Sequence, residues 1–334
     1  MQALPAFRYF APTSVDEALG LLAELGGEAM PAAGGTDLVP SMRQGLFAPK
    51  SVISLQAVDA LRRIGWDDGA GLEIGALATL REVAADAEVR RRFPFVARAA
   101  HAVGSPQLRE MGTVGGNLCL DTRCTFYNQS QGWRDTRGAC VKTGGEFCKA
   151  SPNGRARKCF AVFSADLATA LVAADARVTL RSARGTRTLA LAEFYTGDGA
   201  KPNARAPDEL VTGVSIPARM QDVFGTYLKY RVRQSIDYPI AGVALTLRAD
   251  AARRVGDEVR LVVGGVTSRP LVVGAVAELL RGRSLDDALI EQAAALARKA
   301  ATPLANTAGD RAHRREMVHE MTRRALREAL NHAQ

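Results

Sequence analysis

All five cysteines of this chain lie between Cys119 and Cys159, directly behind the glycine-rich run Gly112-Thr-Val-Gly-Gly-Asn117. Four of them, Cys124, Cys140, Cys148 and Cys159, punctuate a stretch with no apolar periodicity of helix or strand. Structureless loops inside compact domains rarely exceed about 12 to 15 residues, so something must staple this one. Four thiolates around one metal centre would do so, and would make the chain a carrier of electrons or a structural metal protein. The spacing, C-x15-C-x7-C-x10-C, lacks the close C-x2-C pairs of zinc knuckles and the common ferredoxin runs. On spacing alone, a metal site and incidental loop thiols both stand. From Arg123 to Lys158 the loop carries eight Lys and Arg against Asp135 and Glu146. That excess would offset the charge of a thiolate-ligated cluster and bring the thiol pKa values below about 8.5; the alternative is an exposed polar loop. Cys119, in Leu-Cys-Leu, reads as a small buried residue rather than a fifth ligand.

With 334 residues, 47% apolar and 24% charged, the composition is that of a soluble globular protein of two or three domains. The N-terminus lacks the basic and apolar regions of a secretory signal, and no uncharged apolar run approaches the roughly 18 residues of a membrane span. A cytoplasmic setting follows, where clustered cysteines are metal ligands or redox groups more often than disulfides. The net charge of +9 invites a nucleic-acid reading. Aromatics, however, are only 6% and no nucleic-acid-binding motif occurs, so neither nucleic acid nor membrane is expected as a partner. Solvated helix faces, with a basic patch steering an acidic partner, account for the charge.

The first fifty residues read as a βαβ unit. Thr13-Ser14 caps a helix whose stripe is Val15, Leu19, Leu22 and Leu25, and Gly26-Gly27 ends it. Met30 to Pro40 reads as a turn and Ser51 to Leu55 as a strand. A second region starts near Leu72, runs through helical patterns at 80–87 and 95–103, and after the cysteine loop continues with a helix over 161–174, a strand over 177–180 and a surface loop over 197–207. From about Gly225, strands at 227–232, 243–248 and 259–264 precede helices at 271–280, 285–299 and 311–330, the pattern of a separate α+β domain.

Two glycine-rich turns, Ala33-Gly-Gly-Thr-Asp37 and Gly112 to Asn117, can aim successive amides at one anion, although such turns are often only turns. Neither matches G-x-G-x-x-G or a Walker loop. His101, His313, His319 and His332 lie in helical or terminal contexts, and no nucleophile elbow or metalloprotease pair occurs. Any redox chemistry must therefore belong to a bound cofactor.

Taken in order, Ala33-Gly-Gly-Thr-Asp-Leu38, Ile74-Gly-Ala76, Ser105-Pro-Gln-Leu-Arg109, Gly112 to Asn117, Ser164-Ala-Asp-Leu-Ala168 and Gly265-Val-Thr-Ser-Arg-Pro270 resemble the FAD-binding medium subunit of the xanthine dehydrogenase and carbon monoxide dehydrogenase family. The resemblance spans nearly the whole chain. It implies an α+β, two-subdomain FAD-binding fold with a C-terminal α+β domain. The implied boundaries are 1–55 and 56–220 for the FAD subdomains, with the cysteine loop at 120–160, and 225–334 for the third domain. The insertion resembles that of the β subunit of 4-hydroxybenzoyl-CoA reductase, with a slightly longer last interval to Cys159. It implies a [4Fe-4S] cluster on Cys124, Cys140, Cys148 and Cys159.

By the same resemblance, Ala33, Gly34, Gly35, Thr36 and Asp37 with Thr113, Gly115, Gly116 and Asn117 would hold the FAD pyrophosphate and ribityl region. Asp166 would lie near the adenosine end, and Tyr238 and Lys229 near the flavin ring. The implied partners are a molybdenum-cofactor large subunit, a [2Fe-2S] small subunit and ferredoxin as electron donor, in a dimer of heterotrimers that dehydroxylates 4-hydroxybenzoyl-CoA. The alternatives are the FAD subunit of an oxidising molybdenum hydroxylase, a structural zinc protein without flavin, and a basic nucleic-acid adaptor.

Overall fold

A computed structural model describes residues 3–332. Its first layer is a parallel sheet in the order β1-β3-β2, built from β1 (Arg8–Phe10), β2 (Ala29–Ala32) and β3 (Ser51–Ser54). Helix α1 (Val15–Leu25) crosses between the first two strands. The Ser14 hydroxyl accepts from the Glu17 amide at its start, and Gly26 closes its end at φ +54. Val15, Ala18, Leu19 and Leu22 bury its stripe with Ile53 and Leu55. The stretch read as a turn from Met30 in fact begins with β2, followed by α2 (Leu38–Arg43). Pro31 is tolerated because β2 pairs only with β3 and so is an edge strand. The first glycine turn lies at the carboxyl end of β2, where open parallel sheets bind their ligands.

The second layer is an antiparallel sheet, β4-β5-β10-β6-β7. Its strands are β4 (Ile64–Asp67), β5 (Gly71–Gly75), β6 (Arg177–Ser182), β7 (Gly185–Ala190) and β10 (Leu210–Ile216). Between β5 and β6 run α3 (Leu80–Ala85), α4 (Ala87–Arg92), α5 (Pro94–Ala102), α6 (Pro106–Met111), α7 (Val114–Leu118), α8 (Gln131–Arg137) and α9 (Asp166–Ala173). Helix α10 (Leu191–Phe194) leads into a small hairpin, β8 (Tyr195–Asp198) and β9 (Lys201–Asn203), where the sequence suggested only a loop. Helix α9 is apolar after Asp166 except for Thr169, whose hydroxyl donates to the Ala165 carbonyl at 3.0 Å, and all eight of its residues are buried, as such a helix must be. It begins later than its apolar composition suggested. Residues 161–165 are extended, because Val162 bridges Arg123 and the Phe163 amide bonds the Thr267 carbonyl at 2.9 Å.

The third layer is the antiparallel sheet β11 (Phe224–Tyr230), β12 (Ala241–Ala249), β13 (Val255–Gly264) and β14 (Leu271–Val272), with α11 (Gly274–Leu280), α12 (Asp287–Ala300) and α13 (Arg311–His332). Strand β12 is buried on both faces. Val243, Leu245 and Leu247 face the core of the three C-terminal helices. On the other face the Thr246 hydroxyl donates to the Ala173 carbonyl of α9 at 2.8 Å. This period-two split packs the C-terminal domain directly behind the helix that opens with Asp166.

Candidate functional site

The two glycine turns meet because neither has side chains to keep them apart. A Cβ on Gly34 would stand 1.6 Å from the Met111 carbonyl oxygen, so the first turn rests on the backbone that leads into the second. A Cβ on Gly115 would come within 2.9 Å of Ala76. The second turn is sewn to the stretch after β5: Val114 donates to the Ala78 carbonyl at 2.9 Å and Gly115 to the Ala76 carbonyl at 2.7 Å. The Thr113 hydroxyl accepts from the Gly116 amide at 3.1 Å.

The two turns therefore play different roles. Among the described residues, no hydrogen bond uses the amides of Gly34, Gly35, Thr36 or Asp37. The amides from Val114 to Asn117 are all engaged within the chain. Only the first turn presents the free amides that the sequence suggested for both. The second supplies a rigid wall and the side chain of Asn117, whose Oδ1 is buried without a partner.

Between the turns lies a cleft of about 270 Å³. Ala33, Gly34, Gly35, Thr36, Asp37, Thr113, Gly115, Gly116, Asn117, Asp166 and Tyr238 all line it, as do Cys119, Asp121 and Arg205. Lys229 does not. Its Nζ lies behind the wall, donating to Asp166 Oδ2 at 2.8 Å and to the Ala102 carbonyl at 2.9 Å. Tyr227 donates to Asp166 Oδ1 at 2.5 Å, so the carboxylate is held from behind on both oxygens. Burial pushes the Asp166 carboxyl up and the Lys229 ammonium down, each against the pull of the other. Cys119 is half-buried, packing against the core while lining the cleft, and burial raises its thiol pKa.

The chain leaves the second turn through Asp121 and Thr122 into the cysteine loop. Lys142 reaches back to Asp121 Oδ1 at 2.6 Å and to the Thr122 hydroxyl at 2.7 Å, over the Tyr127 ring. The loop is less irregular than its sequence suggested, since Ser130 caps the short helix α8. Its two ends are tied to the C-terminal domain by Asn306. That residue accepts the Thr125 amide at 2.8 Å through its carbonyl and donates to the Phe160 carbonyl at 2.7 Å through its side chain. Arg314, fully buried, holds the same segment through the Leu304 carbonyl at 2.9 Å.

Cys124, Cys140, Cys148 and Cys159 are free and all buried. Their charges would influence one another, which puts them in one region. Even so, among the described residues no group of three or more His, Cys, Asp or Glu is arranged to hold a metal ion; the geometry outweighs the mutual influence, which acts over longer range. For Cys124 and Cys159 the net shift is upward, opposite to what the composition suggested. Burial pushes Cys124 up to about 11 and, outweighing the pull of Lys142, Cys159 up to about 12. Sulfur-directed donors are nevertheless present: Ala161 N-H lies 3.4 Å from Cys159 Sγ and the Thr143 hydroxyl 3.6 Å from Cys140 Sγ.

Residues 5–219 match the family described as the FAD binding domain in molybdopterin dehydrogenase. The chain belongs to that family. Residues 226–329 match the CO dehydrogenase flavoprotein C-terminal domain, and the chain is an FAD-binding medium subunit of the xanthine dehydrogenase and carbon monoxide dehydrogenase type. The aldehyde oxidoreductase FAD-binding subunit PaoB of Escherichia coli is 32% identical over 75% of this chain and 79% of its own length. The carbon monoxide dehydrogenase medium chain of Afipia carboxidovorans is 26% identical over 97% of this chain and 96% of its own. A solved carbon monoxide dehydrogenase from Hydrogenophaga pseudoflava shares the fold at a TM-score of 0.79, with 24% identity, covering 97% of each chain. The cleft fits the flavin nucleotide such a domain binds. It offers free amides for a pyrophosphate, and Asn117 Oδ1 and Asp121 Oδ2 are buried acceptors without protein partners. No described helix is long and apolar enough to cross a membrane.

Proposed function

We propose that this flavoprotein subunit also carries a [4Fe-4S] cluster on Cys124, Cys140, Cys148 and Cys159. We further propose that it serves as the electron-transfer subunit of a molybdenum-containing 4-hydroxybenzoyl-CoA reductase. The observation that carries the reading is the origin of the cysteine loop: it departs from the flavin cleft at Asn117 to Asp121 and holds four buried free thiols. Four cysteines suit an iron-sulfur cluster, and the Ala161 N-H and the Thr143 hydroxyl stand within donor reach of two of the sulfurs. FAD supplies reversible one- and two-electron chemistry; this chain's residues bind and orient it. The amides of Gly34 to Asp37 take the pyrophosphate, Asn117 and Asp121 accept from hydroxyl or imide groups, Asp166 closes the adenosine end, and Tyr238 covers the ring. A molybdenum subunit, a [2Fe-2S] subunit and ferredoxin complete the proposal, set in the reducing cytoplasm where thiols persist.

A second reading keeps the cofactors and reverses the flow, as the FAD subunit of a complex that oxidises aldehydes or heteroaromatics. The 32% identity to a subunit of an aldehyde oxidoreductase favours it. Anaerobic purification of the complex from its native source decides between them. The proposal expects FAD, about four iron atoms per chain beyond those of the small subunit, and oxidation of reduced ferredoxin on adding 4-hydroxybenzoyl-CoA. Aldehyde-dependent reduction of a dye with no thioester activity establishes the second reading. Zinc in place of iron overturns the cluster in both.

A further inference from the structure

Among the described residues, three other than glycine have positive φ: Asp175 at 54°, Arg253 at 61° and Ile236 at 63°. Two have local reasons. Asp enters this region several-fold more readily than most residues, and the Asp175 carboxylate is paired with Arg219 and Arg260. Arg253 turns the β12–β13 hairpin, its amide donating to the Asp250 carbonyl at 2.8 Å. Ile236 has no such reason, because a β-branched residue at positive φ is an outlier. The Asp237 amide donates to the Ser235 carbonyl at 2.7 Å across it, which makes a γ-turn of positive φ, rare and strained.

The turn is pinned where it is forced. The Ile236 amide donates to the Gly104 carbonyl at 2.9 Å, just beyond α5, and Lys229 and Arg231 hold the neighbouring Ala102 carbonyl at 2.9 and 3.1 Å. Ile236, Asp237 and Tyr238 then line the flavin cleft together with Val103 and Leu108. Tyr238 is fixed from its far end by Arg123, which donates to its hydroxyl at 2.7 Å and pairs with Asp37 of the first glycine turn. Burial in the chain alone does little to offset the strain, since Ile236 is 52% exposed and Tyr238 46%. Strained residues persist where surrounding contacts over-determine them, and they cluster at ligand clamps.

We propose that Ile236 is a positioning residue for the flavin. Its turn directs Tyr238 onto the ring, and its side chain packs on bound FAD, which covers the apolar surface that the free chain leaves exposed. A glycine would hold the same φ without strain but would bring no such surface. The inference rests on the proposed contact of Tyr238 with the ring, and it needs no metal in the cysteine loop.

The test titrates FAD into flavin-stripped full-length chain, unfolds the stripped chain in denaturant, and records the visible circular dichroism of the flavin at saturating FAD. Ile236→Gly unfolds at no lower denaturant concentration than wild type, because the strain removed exceeds the chain entropy that glycine adds. It nevertheless binds FAD about ten-fold more weakly, having lost the covering side chain and the ordered turn, and the flavin dichroism changes. Ile236→Val, which keeps the β-branch and drops one methylene, stays within about four-fold of wild type and keeps the wild-type dichroism. Ile236→Asn, also tolerant of positive φ, stands in if Ile236→Gly fails to fold. Affinity within about two-fold of wild type in Ile236→Gly overturns the inference. So does earlier unfolding of the stripped Ile236→Gly chain, which would make Ile236 an ordinary packing residue. Tyr238→Ala separates the two layers. Unchanged affinity and dichroism in that variant overturn the ring contact and the inference together, while changes there beside a wild-type-like Ile236→Gly overturn the inference alone.

Discussion

The flavin cleft and the cysteine loop adjoin at Asp121, yet they are held in different proportions by backbone and side chain. The cleft is backbone against backbone: Gly34 on Met111, Gly115 on Ala76, with a ladder from Ala76 to Gly112 beneath. The loop is closed at its base by the Arg123–Val162 backbone bridge, but beyond it relies on side chains: Lys142 at one end, Asn306 across both flanks, and a small cluster around Cys124, Tyr127, Cys159 and Ala161. Backbone contacts leave no rotamer freedom to lose, so the cleft is formed before its ligand arrives. The side chains of the cysteine loop keep rotamer freedom, so under the proposed cluster reading its thiols would settle only as they lose their protons to a bound metal.

The largest effect is expected behind the cleft. Lys229→Met leaves Asp166 buried with only Tyr227 as partner, and breaking such a pair costs about 3–5 kcal/mol. Denaturant unfolding checks this, and adding Asp166→Asn should recover much of the loss, since the penalty is the unpaired charge. Next, the same substitution should have opposite signs in the two regions. Gly34→Ala forces a Cβ into the Met111 carbonyl and should destabilise by about 1–3 kcal/mol with FAD binding at least ten-fold weaker. Gly132→Ala, in α8 with open space around it, should stabilise by up to about 1 kcal/mol. A Gly34→Ala chain that binds FAD like wild type would show that the turns can part without loss.

What the sequence made legible follows the same divide. The glycines of the cleft and the cap and stripe of α1 are visible in the chain because residue type alone demands the conformation. Strand β2 was hidden by Pro31, which reads as a breaker until its edge position is known. Strand β4, Ile64-Gly-Trp-Asp67, is short, half-buried and defined mainly by its pairing with β5. The split between the two turns depends on which amides other strands consume, and that is a tertiary fact. Arg123 was one basic residue among eight in its loop; nothing local reveals that it reaches Asp37 and Tyr238. The Cys124 and Cys159 pKa values went the other way from the composition because counting charges ignores the burial of the sulfurs.

The third prediction tests the loop without the cleft. Under the proposed cluster reading, Cys148→Ser should remove most of the loop's iron and the broad visible absorbance it would give, while the stripped-chain FAD affinity stays within a few-fold, because no cleft wall depends on Cys148. Limited proteolysis should then cut between 124 and 159 first, and cutting within the first subdomain instead would contradict the division drawn above.

The smallest effect concerns acid. Arg205 lines the cleft and donates to the Glu209 carbonyl at 2.8 Å, while the Glu209 carboxylate takes a two-pronged bond from Arg187 at 2.6 and 2.8 Å and the Ala206 amide at 2.7 Å. The Arg187 bond, outweighing burial, holds the Glu209 carboxyl below its ordinary 4.5. A carboxylate depressed in the folded state contributes stability that is fully present above the unfolded value and is lost as pH falls through the folded one. Glu209→Gln should therefore lower stability at pH 7 and flatten its decline below pH 4.5. Since Arg187 is 48% exposed, the difference should stay within about 1 kcal/mol. Thermal unfolding of both chains from pH 7 down to 3.5 reads it, and parallel curves throughout would show that this corner of the cleft is held by the Arg205 contact to the backbone alone.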